Sequence, residues 1–164
     1  MKLVPAVNLV PHYMNDPGSL TKRLKARCDN FHIIEQEKGK LDPSTFFRQS
    51  ILMNNQSSLI LARSSLTSND PMIVNKFCEL GDKSLGEQLL FAEQKVKRSE
   101  YMFFHVSQLD RDMISLDRTE IVYARRSYFR WQSNQLSLLE VFLPDAHDVL
   151  EGASVEWPSL IKRN

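Results

Sequence analysis

Residues 119–143 read TEIVYARRSYFRWQSNQLSLLEVFL, and this stretch decides the fold. Two β-rich runs flank a polar break at Gln132-Ser133-Asn134-Gln135. The first run carries Ile121, Val122, Tyr123, Tyr128, Phe129 and Trp131. The second alternates, with Leu136, Leu138, Glu140 and Phe142 on one face and Ser137, Leu139, Val141 and Leu143 on the other. β-branched and aromatic residues about a polar break predict an antiparallel hairpin. Pro144 ends it, because proline has no N–H for the ladder. Glu140 interrupts an apolar face, and a carboxylate there must be paired or held protonated. Arg125 and Arg126 lie on the facing strand. Glu140 is therefore either half of a structural ion pair, a residue on an exposed face, or a site carboxylate.

A second hairpin lies upstream. TFFRQSILM at 45–53 and SLILARSSL at 58–66 flank the turn Asn54-Asn55-Gln56-Ser57. A turn centred between Asn55 and Gln56 sets Leu52 opposite Leu59 and Arg48 opposite Arg63. Two facing arginines repel unless both are solvated or an anion lies between them, and a register slip of one residue would separate them. Residues 30–38 and 100–107 predict further strands, with Gly39, Asp42 and Pro43 marking a loop after the first and Asp110-Arg111-Asp112 a loop after the second. Ser19 caps a helix whose first turns hold Leu20, Lys22, Arg23 and Lys25. Asn69 or Asp70 caps another that starts at Pro71, carries a stripe of Met72, Ile73, Phe77 and Leu80, and ends at Gly81. Ser84 and Glu87 form a capping box around Leu85 and Gly86, where bare backbone amides suit a carboxylate.

The bounds are those of an ordinary globular chain. At 164 residues, 42% apolar and 25% charged, it suits one domain, here 1–164 with a core at about 17–144 and a C-terminal appendage at 145–164. A net charge of +1 gives no reason to expect nucleic acid. Cys28 and Cys78 form no CxxC motif and suit a reducing cytosol. The 4 histidines are scattered without ligand spacing, so no metal is expected, and the 5 glycines form no phosphate loop. The N-terminal MKLVPAVNLVPHY is broken by Pro5, Asn8 and Pro11 and makes no signal peptide, and no run reaches the roughly 20 apolar residues of a membrane span. A cytoplasmic protein is expected. Strand runs with helices inserted in blocks predict an α+β fold with a mostly antiparallel sheet, one side of which gathers the carboxylate, the arginines and two helix starts.

In order along the chain, SLTKRL at 19–24, the Arg48 and Arg63 pair, KSLGEQLLF at 83–91, ARRS at 124–127 and LLEVFLP at 138–144 resemble the chorismate pyruvate-lyase family. The resemblance runs from about residue 17 to Pro144. It implies an antiparallel sheet with helices packed around it, a site closed over by flaps, and elimination of pyruvate from chorismate to give 4-hydroxybenzoate for ubiquinone synthesis, with no metal and no cofactor, in a monomer. It places Arg48 on the ring carboxylate, Glu140 on the ring hydroxyl, and Leu20 and Leu85 at the remaining contact positions, Leu85 through its amide. Arg63, with Arg126, would face the enolpyruvyl side. The sequence departs from the family where Leu20 replaces a Met, where Ala62 replaces a Gly, and in a short lead-in and long tail. A non-catalytic domain of the same fold that binds a small hydroxybenzoate-like anion is the alternative.

Overall fold

The computed structural model describes residues 1–6, 10–90, 95–108 and 122–151. Eight strands form one antiparallel sheet: β1 (Lys2–Pro5), β2 (Phe31–Asp42), β3 (Thr45–Asn54), β4 (Ser57–Thr67), β5 (Lys97–Arg98), β6 (Met102–Gln108), β7 (Val122–Trp131) and β8 (Asn134–Phe142). Their order is β1-β6-β7-β8-β4-β3-β2, with β5 paired to β7. The β7–β8 hairpin lies at the centre. Its turn is only Gln132 and Ser133, because Asn134 already pairs with Trp131. Gln132 adopts φ 50°, the left-handed geometry that matches a two-residue turn to the twist of its strands. Asn134 is buried and accepts a hydrogen bond from Ser68 Oγ at 2.5 Å. The predicted alternation along β8 holds.

The β3–β4 hairpin differs from expectation by one residue. Near the turn Met53 pairs with Ser58, yet the next pair is Leu52 with Ile60. Leu59 is the extra residue of a β-bulge, and the remainder of β4 is out of step with the simple turn count. Arg48 therefore faces Ser64, and Arg63 faces Gln49. Since side chains alternate, the two arginines stand on opposite faces of the sheet, and the predicted Arg48–Arg63 opposition does not occur.

Strand β2 runs through Gly39 to Asp42 rather than ending at residue 38. Gly39 lies opposite Phe47, whose ring would sit 2.7 Å from any Cβ added there. The glycine serves close approach of an aromatic ring within the ladder, not a loop. Strand β1, unforeseen in the sequence, pairs Leu3 with Val106 and Val4 with His105.

Helices α1 (Leu20–Arg27), α2 (Pro71–Cys78) and α3 (Pro144–Leu150) complete the described framework. Ser19 Oγ accepts from the Lys22 amide, and Asp70 Oδ1 from the Met72 amide, as the caps predict. Met72 leaves the predicted apolar stripe and is 70% exposed, while Ile73 and Phe77 face inward. Helix α3 is no appendage: Ala146 and Leu150 join a core cluster with Leu24, Leu59 and Phe142. Burying a leucine of this kind contributes about 1.5–3 kcal/mol. The loop at 110–112, and Trp157-Pro158 in the tail, lie outside the described residues.

One sheet face carries that cluster at one end. At the other end α2 and the segment after Ser84 bury Leu66, Phe77, Leu89 and Leu136. The opposite face holds Ile51, Leu61, Leu139 and Val141, in a cluster with Leu3 of β1 and Phe104 and Val106 of β6 packed against it. Leu3 of β1 and Gln49 of β3 line one cavity on this face although four strands lie between them, so the sheet curls over it. Among the described residues, no helix is long and apolar enough to cross a membrane.

Candidate active site

Between the two helix-covered clusters lies a cavity of about 410 Å³. Its floor is the sheet, and ladder register dictates which side chains reach it. One row across β3, β4, β8 and β7 is Arg48, Ser64, Leu138 and Ser127; two residues along, the next is Ser50, Ala62, Glu140 and Arg125. All eight line the cavity. Apolar walls come from Ile33, Leu52 and Phe129, and the roof from residues 17–21 and 84–86. A pocket of this size, mostly apolar with a few convergent polar groups, is the usual form of a small-molecule site.

Arg48 is 4% exposed. Its Nε donates to Glu35 Oε2 at 3.0 Å, and its Nη2 to the carbonyls of Gly81 at 2.8 Å and Lys83 at 3.1 Å. Its Nη1 has no hydrogen-bond partner among the described residues. Gly81, at φ 56°, turns the chain out of α2 so that these carbonyls can be offered to Arg48. The chain then enters a π-helical turn, Gly86–Leu90. Ser84 caps it, accepting from the Glu87 amide at 3.3 Å, and donates its own hydroxyl proton to Thr21 Oγ1 at 3.1 Å. The capping box is half made, because the Glu87 carboxylate reaches Lys25 at 3.0 Å instead of returning to Ser84. The amides of Leu85 and Gly86 lie ahead of the turn's own hydrogen bonding. Leu20 lies across from them at the start of α1, and Leu20, Leu85 and Gly86 all line the cavity.

At the other end Glu140, 8% exposed, accepts from Arg125 Nε at 2.7 Å through Oε1. Its Oε2 has no partner among the described residues. Arg125 is 2% exposed and also donates from Nη1 to the Met14 carbonyl at 2.6 Å. Burial alone would lower its pKa, but Glu140 and the hydrogen bond to it hold the guanidinium above the ordinary arginine value. Arg125 lies 4.2 Å from the Tyr101 ring centroid and Arg98 lies 4.4 Å from the same ring. Arg98 donates to the Tyr101 hydroxyl and, at 3.3 Å, to the Pro17 carbonyl. The Ser127 hydroxyl is buried without a partner among the described residues.

Of the residues expected from sequence, the cavity thus gathers Leu20, Arg48, Leu85 and Glu140. It does not gather Arg63 or Arg126. Both flank Leu139 on the opposite face, where they line a separate cavity of about 450 Å³, and Arg63 Nε donates to Gln49 Oε1 at 2.5 Å. The bulge at Leu59 puts Arg63 there; alternation from Arg125 puts Arg126 there. Thr21, Ser84, Arg98, Tyr101 and Ser127 went unnoticed as site residues. Ser84 was legible only as a cap, and Ser127 had a signal in its position two residues beyond Arg125 on the same strand face.

A family model described as Chorismate lyase matches residues 2–150. The chain is 26% identical over 170 residues to a chorismate pyruvate-lyase of Serratia proteamaculans (strain 568), covering 92% of this chain and 87% of that one. It is 27% identical over 164 residues to a probable chorismate pyruvate-lyase of Pseudoalteromonas atlantica, covering 87% and 83%. Against a probable chorismate pyruvate-lyase of Shewanella sp. (strain W3-18-1), identity is 32% over 148 residues, covering 79% and 77%.

Proposed function

The chain belongs to the chorismate lyase family, and from that premise we propose that it converts chorismate to 4-hydroxybenzoate and pyruvate. In this reaction the C3–O bond to the enolpyruvyl group breaks and the C4 hydrogen leaves as a proton. The electron pair it leaves completes the aromatic ring, and the released enolpyruvate takes up a proton to become pyruvate. Aromatisation supplies the driving force, so the protein's contribution is orientation and stabilisation of charge in a water-poor cavity.

The observation that carries the reading is the placement of a buried guanidinium and a buried carboxylate at two ends of one apolar cavity on one sheet face. A ring bearing a carboxylate and a para hydroxyl matches that polarity. Arg48 Nη1 and the amides at Leu85 and Gly86 bind the ring carboxylate, Arg48 being fixed by Glu35, Gly81 and Lys83. Glu140 Oε2 accepts the ring hydroxyl proton, while Oε1 stays on Arg125. Among the described residues no histidine lines the cavity. The bases left for the C4 hydrogen are Glu140 and the departing enolpyruvyl group itself. The resemblance extends the reading to a role for 4-hydroxybenzoate as the ring precursor of a quinone.

Incubation with chorismate tests this. Equal amounts of 4-hydroxybenzoate and pyruvate are expected. Tight binding of 4-hydroxybenzoate without release of pyruvate would instead favour a non-catalytic binder.

A further inference from the structure

Chorismate carries two carboxylates, and the geometry above accounts for one. Arg48 has a single free donor nitrogen, and the residues expected at the enolpyruvyl side, Arg63 and Arg126, are behind the sheet. The cavity nevertheless has a second cationic end. Ser127, 1% exposed, lines that end and carries a buried hydroxyl with no partner among the described residues. Beside it, Arg125 has Nε and Nη1 engaged and no hydrogen-bond partner for Nη2 among the described residues. Arg98 also lines the cavity, and among the described residues only its Nη1 is bonded, to Pro17 and Tyr101.

Charge points the same way. Glu140 neutralises Arg125, but Arg98 has no carboxylate partner among the described residues. Both guanidiniums lie over the Tyr101 ring, 4.4 and 4.2 Å from its centroid, so two like charges share this end of the cavity. A carboxylate bound at this end would give Arg98 the partner it lacks and the buried serine an acceptor. Ser127 and Arg48 stand in one row of the ladder, three strand spacings or about 14 Å apart at Cα. The two ends therefore grip different groups of one ligand.

We propose that Arg98, Arg125 and Ser127 form a second carboxylate subsite that takes the enolpyruvyl carboxylate, so the cavity grips two carboxylates of the dianionic substrate and one of the monoanionic aromatic product. This rests on the lyase reading of the cavity. It makes Arg98 and Ser127 determinants of specificity for substrate over product. Cleavage then cuts the ligand between its two anchors.

The test compares two ligands that are not turned over. One is 4-hydroxybenzoate. The other is 3-(1-carboxyvinyloxy)-4-hydroxybenzoate, an already aromatic ether that keeps both carboxylates. Their affinities are measured by calorimetry on wild type, Arg98→Ala and Ser127→Ala. Each variant is expected to weaken the dianion about tenfold or more, the value of a hydrogen bond to a charged group, and to leave 4-hydroxybenzoate within about twofold of wild type. Ser127→Ala should melt no lower than wild type, since its hydroxyl has no structural partner. Parallel weakening of both ligands, or an unchanged dianion affinity, overturns the subsite. Failure of wild type to release pyruvate from chorismate overturns the lyase reading instead, and the binding comparison still judges the subsite.

Discussion

Glu140→Gln replaces one carboxylate oxygen by an amide nitrogen and removes a charge from beside Arg125. The amide oxygen can stay on Arg125 Nε, where Oε1 now accepts at 2.7 Å. The NH₂ then points into the cavity, where a donor replaces an acceptor. A charge-assisted bond of about 1.5–3 kcal/mol falls to an ordinary one of about 0.5–1.5. Full removal of a buried partner costs about 3–5 kcal/mol because the remaining ion is left uncompensated. Arg125 keeps the Met14 carbonyl and the rings of Tyr101 and Phe142, at 4.2 and 5.2 Å, so the cost should fall short of that range. A loss of about 2–3 kcal/mol is expected, which for a chain of this length lowers Tm by about 5–10 °C. Calorimetric melting reads that loss. Titration with 4-hydroxybenzoate reads the other oxygen, and affinity should fall about tenfold or more as the hydroxyl loses its ionised acceptor. A Tm unchanged within a degree or two refutes the argument that Glu140 holds the Arg125 charge. A destabilised variant with normal product affinity refutes its role as a ligand to the hydroxyl.

Arg48→Ala should abolish most turnover and also lower stability, since the side chain ties β2 to the loop that leaves α2; steady-state kinetics and urea unfolding check both, and a variant as stable as wild type contradicts the staple. Arg63→Ala and Arg126→Ala should leave kcat/KM for chorismate within about threefold, because their side chains lie behind the sheet; this is under 1 kcal/mol, the scale of a change that removes no ligand contact. A hundredfold loss in either would return that face to the mechanism. Turnover should survive exhaustive chelation, and activity that is lost and then restored by zinc or magnesium would contradict the cofactor-free expectation. Burial, with Asp29 beside it, raises the Cys28 pKa. Its thiolate fraction at pH 8 is therefore depressed, and Cys28 should react with a disulfide reagent more slowly than a model thiol, gaining rate as pH rises.

The central hairpin was legible because its signals are local. Alternation along β8 and a polar break announce the hairpin, while the choice of Arg125 over Arg126 opposite Glu140 follows from a turn of only Gln132 and Ser133. The caps at Ser19 and Asp70 were legible for the same reason. What escaped depends on distant partners. Strand β1 is four residues with no pattern of its own and exists through its pairing with β6. Gly39 looked like a loop because the Phe47 ring that needs its bare Cα comes later in the chain. Arg98 and Tyr101 enter the site from the short strand β5 and the segment after it, which no periodicity announces. Arg63 was placed on the wrong face because a β-bulge has no reliable sequence signature.

Leu59 makes β4 respond to lost codons differently along its length. The bulge is the one place where the strand holds a residue that β3 does not pair, although its carbonyl still accepts from the Leu143 amide at 2.9 Å. Deleting Leu59 closes the hairpin into regular pairing, with Ser58 still opposite Met53 and Ile60 still opposite Leu52. Ala62 and Ser64 keep their places in the cavity, and the loss is that of a buried leucine. Deleting one codon from 62–64 can draw on that spare residue only by sliding residues 59–61 one place along the ladder. Part of the strand must then present its other face, carrying the Arg63 side of the sheet into the cavity or a serine out of it. A deletion scan of this hairpin would read as tolerance beside the turn and failure a few positions later, although every residue concerned lies in the same strand.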